Sequence, residues 1–353
     1  MNRADALAAS PRRRGHATLQ TRAFAVRLNV RVLLLCLIAA GCLAVLATWA
    51  MSLGSFPVPF GEVVKSVVGE GAPENDFIVR TLRLPRVLCA MLVGAALAMS
   101  GAIFQGLVRN PLVSPDIIGI NTGATLVAVF WIVTLRDPAL LPVAAFAGAT
   151  LTAALIYLLT WKGGISGNRL VLVGIGVSAL LQAGTTFLMI RYPIERVSSA
   201  QLWSTGSLYG SDWQDVRVLL IGLLLLAPCA VALMWPLRVL QLGDDASRGV
   251  GLPLERTRLG LIVAGCGLSA ISIAVAGPIG FVALMTPHIA RMLAGPLSGS
   301  VLVFTAFVGG LVVLTSDTVG QHFLPVSMPV GVVTAAIGAP YFLFLLYRSN
   351  LRI

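Results

Sequence analysis

The feature that most constrains this chain is a succession of apolar runs, each close to the roughly 20 residues a helix needs to cross the hydrocarbon of a bilayer. Ten such runs read as spans, at 31–51, 84–107, 116–135, 138–161, 170–190, 216–236, 259–276, 279–294, 300–321 and 329–347, the eighth being short. Backbone polar groups in lipid must be satisfied within the segment, so runs of this length are helices. The chain reads as an all-α polytopic membrane protein of about ten transmembrane helices. A composition 57% hydrophobic and 11% charged leaves little material for a soluble body. Residues 1–30 form a basic N-terminal segment and 31–353 the membrane domain. No clear A-x-A site follows the first run, so it reads as a retained anchor rather than a cleaved signal peptide.

Orientation follows from the basic residues, because loops rich in Lys and Arg stay in the cytoplasm. With the N-terminal "SPRRRGHATLQTRAFAVRLNVR" inside, an even number of spans returns the "YRSNLRI" tail to the same face. That arrangement puts 17 of the 25 basic residues inside and 9 of the 14 acids outside, as the positive-inside rule asks. Trp203, Tyr209 and Trp213 then fall in an outer segment, where aromatic rings suit the headgroup interface. The net charge of +11 is scattered over many short loops, which fits topology and contact with anionic lipid and argues against nucleic-acid binding.

Other patterns mark packing rather than chemistry. Gly94, Ala98 and Ala102 in the second run, and Gly331, Ala335 and Ala339 in the tenth, make ridges on which helices approach closely. Stretches 100–112 and 276–288 echo each other at an offset of 176, with Gly101 over Gly277, Ile103 over Ile279 and Pro111 over Pro287. This is a weak sign of two duplicated halves. The five cysteines lie in apolar runs with neither CxxC spacing nor a nearby histidine, so they read as packed thiols.

The chain offers no motor of its own. The only lysines, Lys65 and Lys162, lie outside any Gly-Lys-[Ser/Thr] sequence, so there is no P-loop. A proton-coupled carrier would place relay carboxylates inside its spans. Here Asp116 opens the third run and Asp317 lies near the outer end of the ninth, with the centres nearly free of charge. Energy has to come from another subunit if the chain belongs to a pump.

Three stretches carry a specific resemblance: "RLPRVLCAMLVGAALAMSGAIFQGLVRNPLVSPDIIGINTGA" (83–124), "AGPIGFVALMTPHIARMLAG" (276–295) and "MPVGVVTAAIGAPYFLFLL" (328–346). They resemble the FecCD-type permeases of ATP-binding-cassette importers for ferric siderophores, haem and cobalamin, in collinear order from about residue 30 onward. The resemblance implies the type II importer permease architecture in the bacterial inner membrane. It also implies a second permease subunit, a cytoplasmic ATPase dimer and a periplasmic siderophore-binding protein. On this reading the chain catalyses no covalent reaction and binds no cofactor or metal. Cobalamin or haem would be the alternative cargo, and an ion-coupled secondary carrier the alternative class.

Individual residues acquire expected roles in this frame. Arg83 and Arg86 stand at the outer mouth of the second span, where planar guanidinium forks could meet carboxylates of the binding protein. Similar permeases have a further Arg shortly after the span-nine Asp and an acid before the later Leu-Pro. This chain has Gln321 and, before Met328 and Pro329, Ser327, which points to a heterodimer whose other permease carries the complement. "RNPLVSP" ends span two with Pro111 and Pro115 as helix breakers. In similar permeases this turn and the loop matching "ISGNRL" narrow the path on the cytoplasmic side, which makes Asn110, Leu112, Ser166 and Asn168 the gate candidates. Gly167, where similar permeases often have a larger polar residue, is expected to leave that position loose. Finally, the loop near 238–258 contains "LGDDASRGVGLPLER", unusually charged for this chain. Asp244 and Asp245 are placed to cap a short helix through Arg248, with Gly249 and Gly251 allowing a tight exit. Similar permeases seat this loop on the ATPase as a coupling helix.

Overall fold

The computed structural model of the chain describes residues 16–20, 25–135, 137, 139–161 and 167–350. A two-stranded antiparallel ribbon, β1 (His16–Gln20) against β2 (Ala25–Asn29), precedes the helices and is the one pair of strands among the described residues. The helices then follow in order: α1 (Val30–Ser52), α2 (Phe60–Val68), α3 (Pro73–Val108), α4 (Pro115–Ile118), α5 (Ile120–Thr134), α6 (Leu141–Thr160) and α7 (Gly167–Arg191). After them come α8 (Ile194–Ser204), α9 (Trp213–Ala232), α10 (Met234–Leu240), α11 (Asp244–Gly249), α12 (Leu254–Ala276), α13 (Val282–Ala294), α14 (Gly299–His322) and α15 (Val330–Asn350).

Eight of these are long and apolar enough to cross a bilayer: α1, α3, α6, α7, α9, α12, α14 and α15. The other two expected spans are shorter. The run expected over 116–135 is split by Gly119, whose φ of 102° lies in the left-handed region, and its helical part α5 has 15 residues. The eighth, α13, has 13 residues and reaches only about 20 Å at 1.5 Å per residue. Hydropathy could not show this, since irregular backbone at membrane depth is tolerated when protein covers it. Protein does cover it: Ile118, Ile120, Ile279 and Val282 are all buried. The second span departs the other way. α3 runs unbroken for 36 residues, about 54 Å, and is wound as a π-helix over Phe77–Arg83. Pro85, just beyond, has no N–H to give the preceding turn, which winds wider there.

The core is built on α3 and α12, the most buried spans, while α1, α7, α9 and α15 lie at the periphery. One large apolar cluster joins α3, α9, α12 and α14; a second, around Phe104, Ile118, Ile120 and Ile273, ties in α5, α6 and α7. Glycine makes the close crossing of α3 and α14. A methyl group on Gly94 would lie 2.2 Å from the Gly309 carbonyl oxygen, and one on Gly309 2.1 Å from that of Gly94. Gly331 likewise abuts the Thr205 carbonyl oxygen in the loop after α8, so the small-residue ridges are places where backbones touch. The echo at offset 176 fails at one of its glycine pairs. Gly101 sits in mid-helix, whereas Gly277 (φ 68°) ends α12 and starts a turn back into the protein.

Candidate functional site

Ionisable side chains collect at the two ends of the bundle. At one end Arg86 makes a two-pronged contact with Asp317 of α14, Nε to Oδ2 at 2.9 Å and Nη2 to Oδ1 at 2.8 Å. Only 4% of the Asp317 side chain and 19% of Arg86 is exposed. Gln321, one turn beyond Asp317, donates Nε2–H to the same Oδ2 at 2.7 Å. Arg83 donates to the carbonyl oxygens of Met51 (2.5 Å) and Phe56 (2.6 Å), closing the segment that leaves α1. The two guanidinium groups expected to await a partner's carboxylates are thus engaged inside the chain. Arg80, one helical turn earlier, is the exposed cation of the three. An acid within an apolar span needs a counter-charge, and that is the signal from which a partner for Asp317 could have been sought. A separation of 231 residues kept the partner's identity out of sight.

The opposite end is organised around α11. Both Asp244 oxygens accept from Arg258 Nη2, at 2.7 and 2.9 Å, and Arg258 Nη1 donates to Glu255 Oε1 at 3.0 Å. The acids do not cap the helix as expected. Gly243 occupies the N-cap with no side-chain bond, and Asp244 and Asp245 form the first turn, where negative charge suits the helix dipole. Asp245 faces solvent, with Arg248 at 3.7 Å. The buried Ser247 hydroxyl, which sequence reasoning passed over, fastens α11 to α10 by donating toward the carbonyl oxygens of Val239 (2.9 Å) and Gly243 (2.7 Å). Gly251, at φ 78°, makes the tight exit, and Gly249 has open space around it. Leu242 and Val250 flank the helix with their apolar side chains 75% and 67% exposed.

A cleft of about 330 Å³ beside α11 brings distant residues together: Arg109, Gly167, Asn168, Asp244 and Arg258 all line it. Of the gate candidates, Asn168 is in this cleft. Asn110 and Leu112 lie in the adjoining turn, where the Asn110 side chain accepts from the Leu112 N–H at 2.9 Å. Ser166 lies outside the described residues. Gly167 is not loose: a Cβ there would come within 3.0 Å of Val108 Cα. Arg109 is left-handed (φ 57°) and donates to the Leu240 carbonyl oxygen. The start of α1 belongs to this end too, since Arg31 Nη2 reaches the Leu293 carbonyl oxygen at 2.8 Å.

The model of the FecCD transport family matches residues 42–348. The chain belongs to the FecCD family. Its FecCD relatives include the "Probable siderophore transport system permease protein YfhA" of Bacillus subtilis, 44% identical over 89% of this chain and 94% of that protein. The achromobactin transport permease CbrC of Dickeya dadantii is 41% identical over 87% and 90%, and the ferric enterobactin permease FepG of Escherichia coli 38% over 91% and 97%. A solved structure of a metal-chelate type ABC transporter in an inward-facing conformation superposes with a TM-score of 0.81 at 30% identity, covering 89% of this chain and 98% of that one. The FecCD assignment spans the Arg86 end, the α11 end and the bundle between them. It makes the chain a multi-pass transport permease.

Proposed function

We propose that this chain is the permease subunit of an ATP-binding-cassette importer that carries a ferric siderophore across the bacterial inner membrane. Both termini and the α11 end face the cytoplasm, and the Arg86 end faces the periplasm. The observation that carries the reading is collinear similarity to siderophore permeases over about nine-tenths of the chain. ATP hydrolysis resides in separate ATPase subunits seated against α11, whose flanking Leu242 and Val250 offer apolar contact beside the charges of Asp245 and Arg248. Asn110, Leu112 and Asn168, together with Ser166 outside the described residues, are the residues that narrow the path at the cytoplasmic side. Asp244 ties the cleft to the coupling element through Arg258.

At the outer end Arg83 and Arg86 shape the surface on which the binding protein docks, Arg86 by fixing α3 to α14 and Arg83 by closing the α1 exit. Gln321 satisfies Asp317 with an amide in place of a second cation, which leaves this mouth less positive and supports a heterodimer with a different permease. A secondary carrier is disfavoured because the acid available in α14 is paired with Arg86 and is not a free relay group. The test is reconstitution of the copurified complex with radiolabelled ferric siderophore. ATP-dependent uptake that requires the binding protein is expected. Uptake driven by a proton or sodium gradient without ATP would refute it, and cobalamin or haem uptake in preference would change the cargo.

A further inference from the structure

Helix α2 (Phe60–Val68) belongs to none of the membrane spans and to neither cluster of charges, yet its nine residues divide into three sectors. Val63 and Ser66 are buried, Val63 in the core cluster that also holds Val58 and Val79. Glu62 and Lys65, one turn apart, pair at 2.8 Å with the lysine exposed. Phe60, Val64, Val67 and Val68, at positions i, i+4, i+7 and i+8, form an exposed apolar stripe. At 3.6 residues per turn the stripe adjoins the buried sector where Val67 neighbours Val63, and it stands opposite Glu62.

The loop into α2 and the turn out of it set its level in the molecule. Two residues before α2 begins, the Val58 N–H donates to the carbonyl oxygen of Ser52, the last residue of α1, at 3.2 Å. At the other end Gly69 closes the helix in the left-handed region (φ 88°), and a methyl group there would lie 3.3 Å from Arg80 Nη1. Arg80 stands about one turn of α3, roughly 5 Å, beyond Arg83, whose guanidinium holds the Met51 carbonyl oxygen at the same end of α1. A nine-residue helix is about 14 Å long, so α2, its ends held within about one turn of one level, lies across the ends of the spans rather than along them. That level is where the apolar run of α1 stops. The surface around it carries aromatic rings, as a membrane boundary does. Trp49, in the last turn of α1, stacks on Phe323 with ring centroids 5.6 Å apart, and both are exposed, as are Phe56 and Phe77 on either side of α2 in the sequence.

We propose that α2 is an interfacial helix whose apolar stripe lies among the lipid headgroups and the tops of the acyl chains, with Glu62 and Lys65 turned to water. A protein arriving from the aqueous side would meet the Glu62–Lys65 sector first. The stripe instead adjoins the buried sector and continues the lipid-facing surface of α1, which is among the least buried spans. In that position four apolar side chains leave water without needing a protein partner. The helix thereby pins the Arg86 end of the bundle at a set depth in the bilayer. The proposal needs only the multi-pass membrane fold and holds whichever way the bundle is oriented.

The test places one tryptophan at a time on α2 in the full-length permease, reconstituted in vesicles of phosphatidylcholine and phosphatidylglycerol, and reads the emission added over the wild type. With lipids brominated near the top of the acyl chains, the added emission of Val64→Trp should fall roughly twofold or more, because the stripe reaches the boundary between headgroups and chains. That of Glu62→Trp should hardly change. Dissolved iodide should quench the two positions in the reverse order. An equal response of both positions to brominated lipid, or quenching of Val64→Trp by iodide and not by lipid, would overturn the proposal. Phe60→Trp, on the same stripe, gives the same reading should Val64→Trp fail to accumulate. Adding the importer's binding protein should leave the lipid quenching of Val64→Trp in place; its loss on binding would assign the stripe to protein docking and overturn the membrane contact.

Discussion

The same chemical pair, an aspartate gripping an arginine, occurs at both ends of this permease and does different work. Asp317 is 4% exposed, accepts from Arg86 in two-pronged fashion and takes a third bond from Gln321. Asp244 is 42% exposed, and its Arg258 is shared with Glu255. Where water is excluded, an ion pair that loses one member leaves a stranded charge, so the pair behaves as a rivet. Where water reaches one member, the pair exchanges with solvent at little cost and can be remade. The Arg86–Asp317 rivet joins two long helices, whereas the Arg258–Asp244 pair attaches a short displayed helix to the foot of α12. Burial, not residue type, separates the fastening from the hinge.

The sharpest way to break this comparison is Asp317→Ala. It should strand Arg86 and cost about 3–5 kcal/mol, seen as a large drop in thermal unfolding temperature in detergent. Removing Arg86 as well should recover part of the loss. Stability equal to that of Asp244→Ala would erase the distinction. Next, Gly94→Ala forces a methyl into the Gly309 carbonyl, and about 1–3 kcal/mol of overpacking should appear in the same assay. At the α11 end, Ser247→Ala removes the bond that ties α11 to α10 and should cost about 1 kcal/mol, with weaker ATPase copurification. Replacing Leu242 and Val250 together by Ser should leave the unfolding temperature unchanged while reducing ATPase retention, because those side chains already face water. Asp245→Asn marks the low end of the scale. Its side chain is fully exposed, so no measurable change in unfolding temperature is expected, and a clear drop would contradict the solvated position described for it.

Much of the bundle was legible because helix length and hydropathy are local quantities. The bounds expected for α1, α7 and α14 lie within a few residues of those found. Legibility failed where tertiary cover changes the rules. Gly119 and the 13-residue α13 interrupt apolar sequence that reads as continuous, since buried neighbours replace the lipid against which hydropathy is judged. At the sites, the charged character of 242–256 and the short helix from Asp244 onward could be read from residue types. The pairing of Asp244 with Arg258 could not, because capping and ion pairing draw on the same carboxylate and three-dimensional placement decides between them. Arg86 illustrates the same limit over distance: a lone cation at a helix mouth looks available until the helix that carries its counter-ion is set beside it.

The contact between Gly94 and Gly309 has a further consequence for how such a bundle can change shape. Where side chains separate two helices, rotamer changes let one slide along the other. Here the backbones touch without that compliant layer, and any axial slip drives a carbonyl into a neighbouring peptide. α3 and α14, bolted together a few turns outward by Arg86 and Asp317, therefore tilt and translate as a single beam. Changes of shape in the bundle are then expected around that beam, among the lightly buried helices α7, α9 and α15.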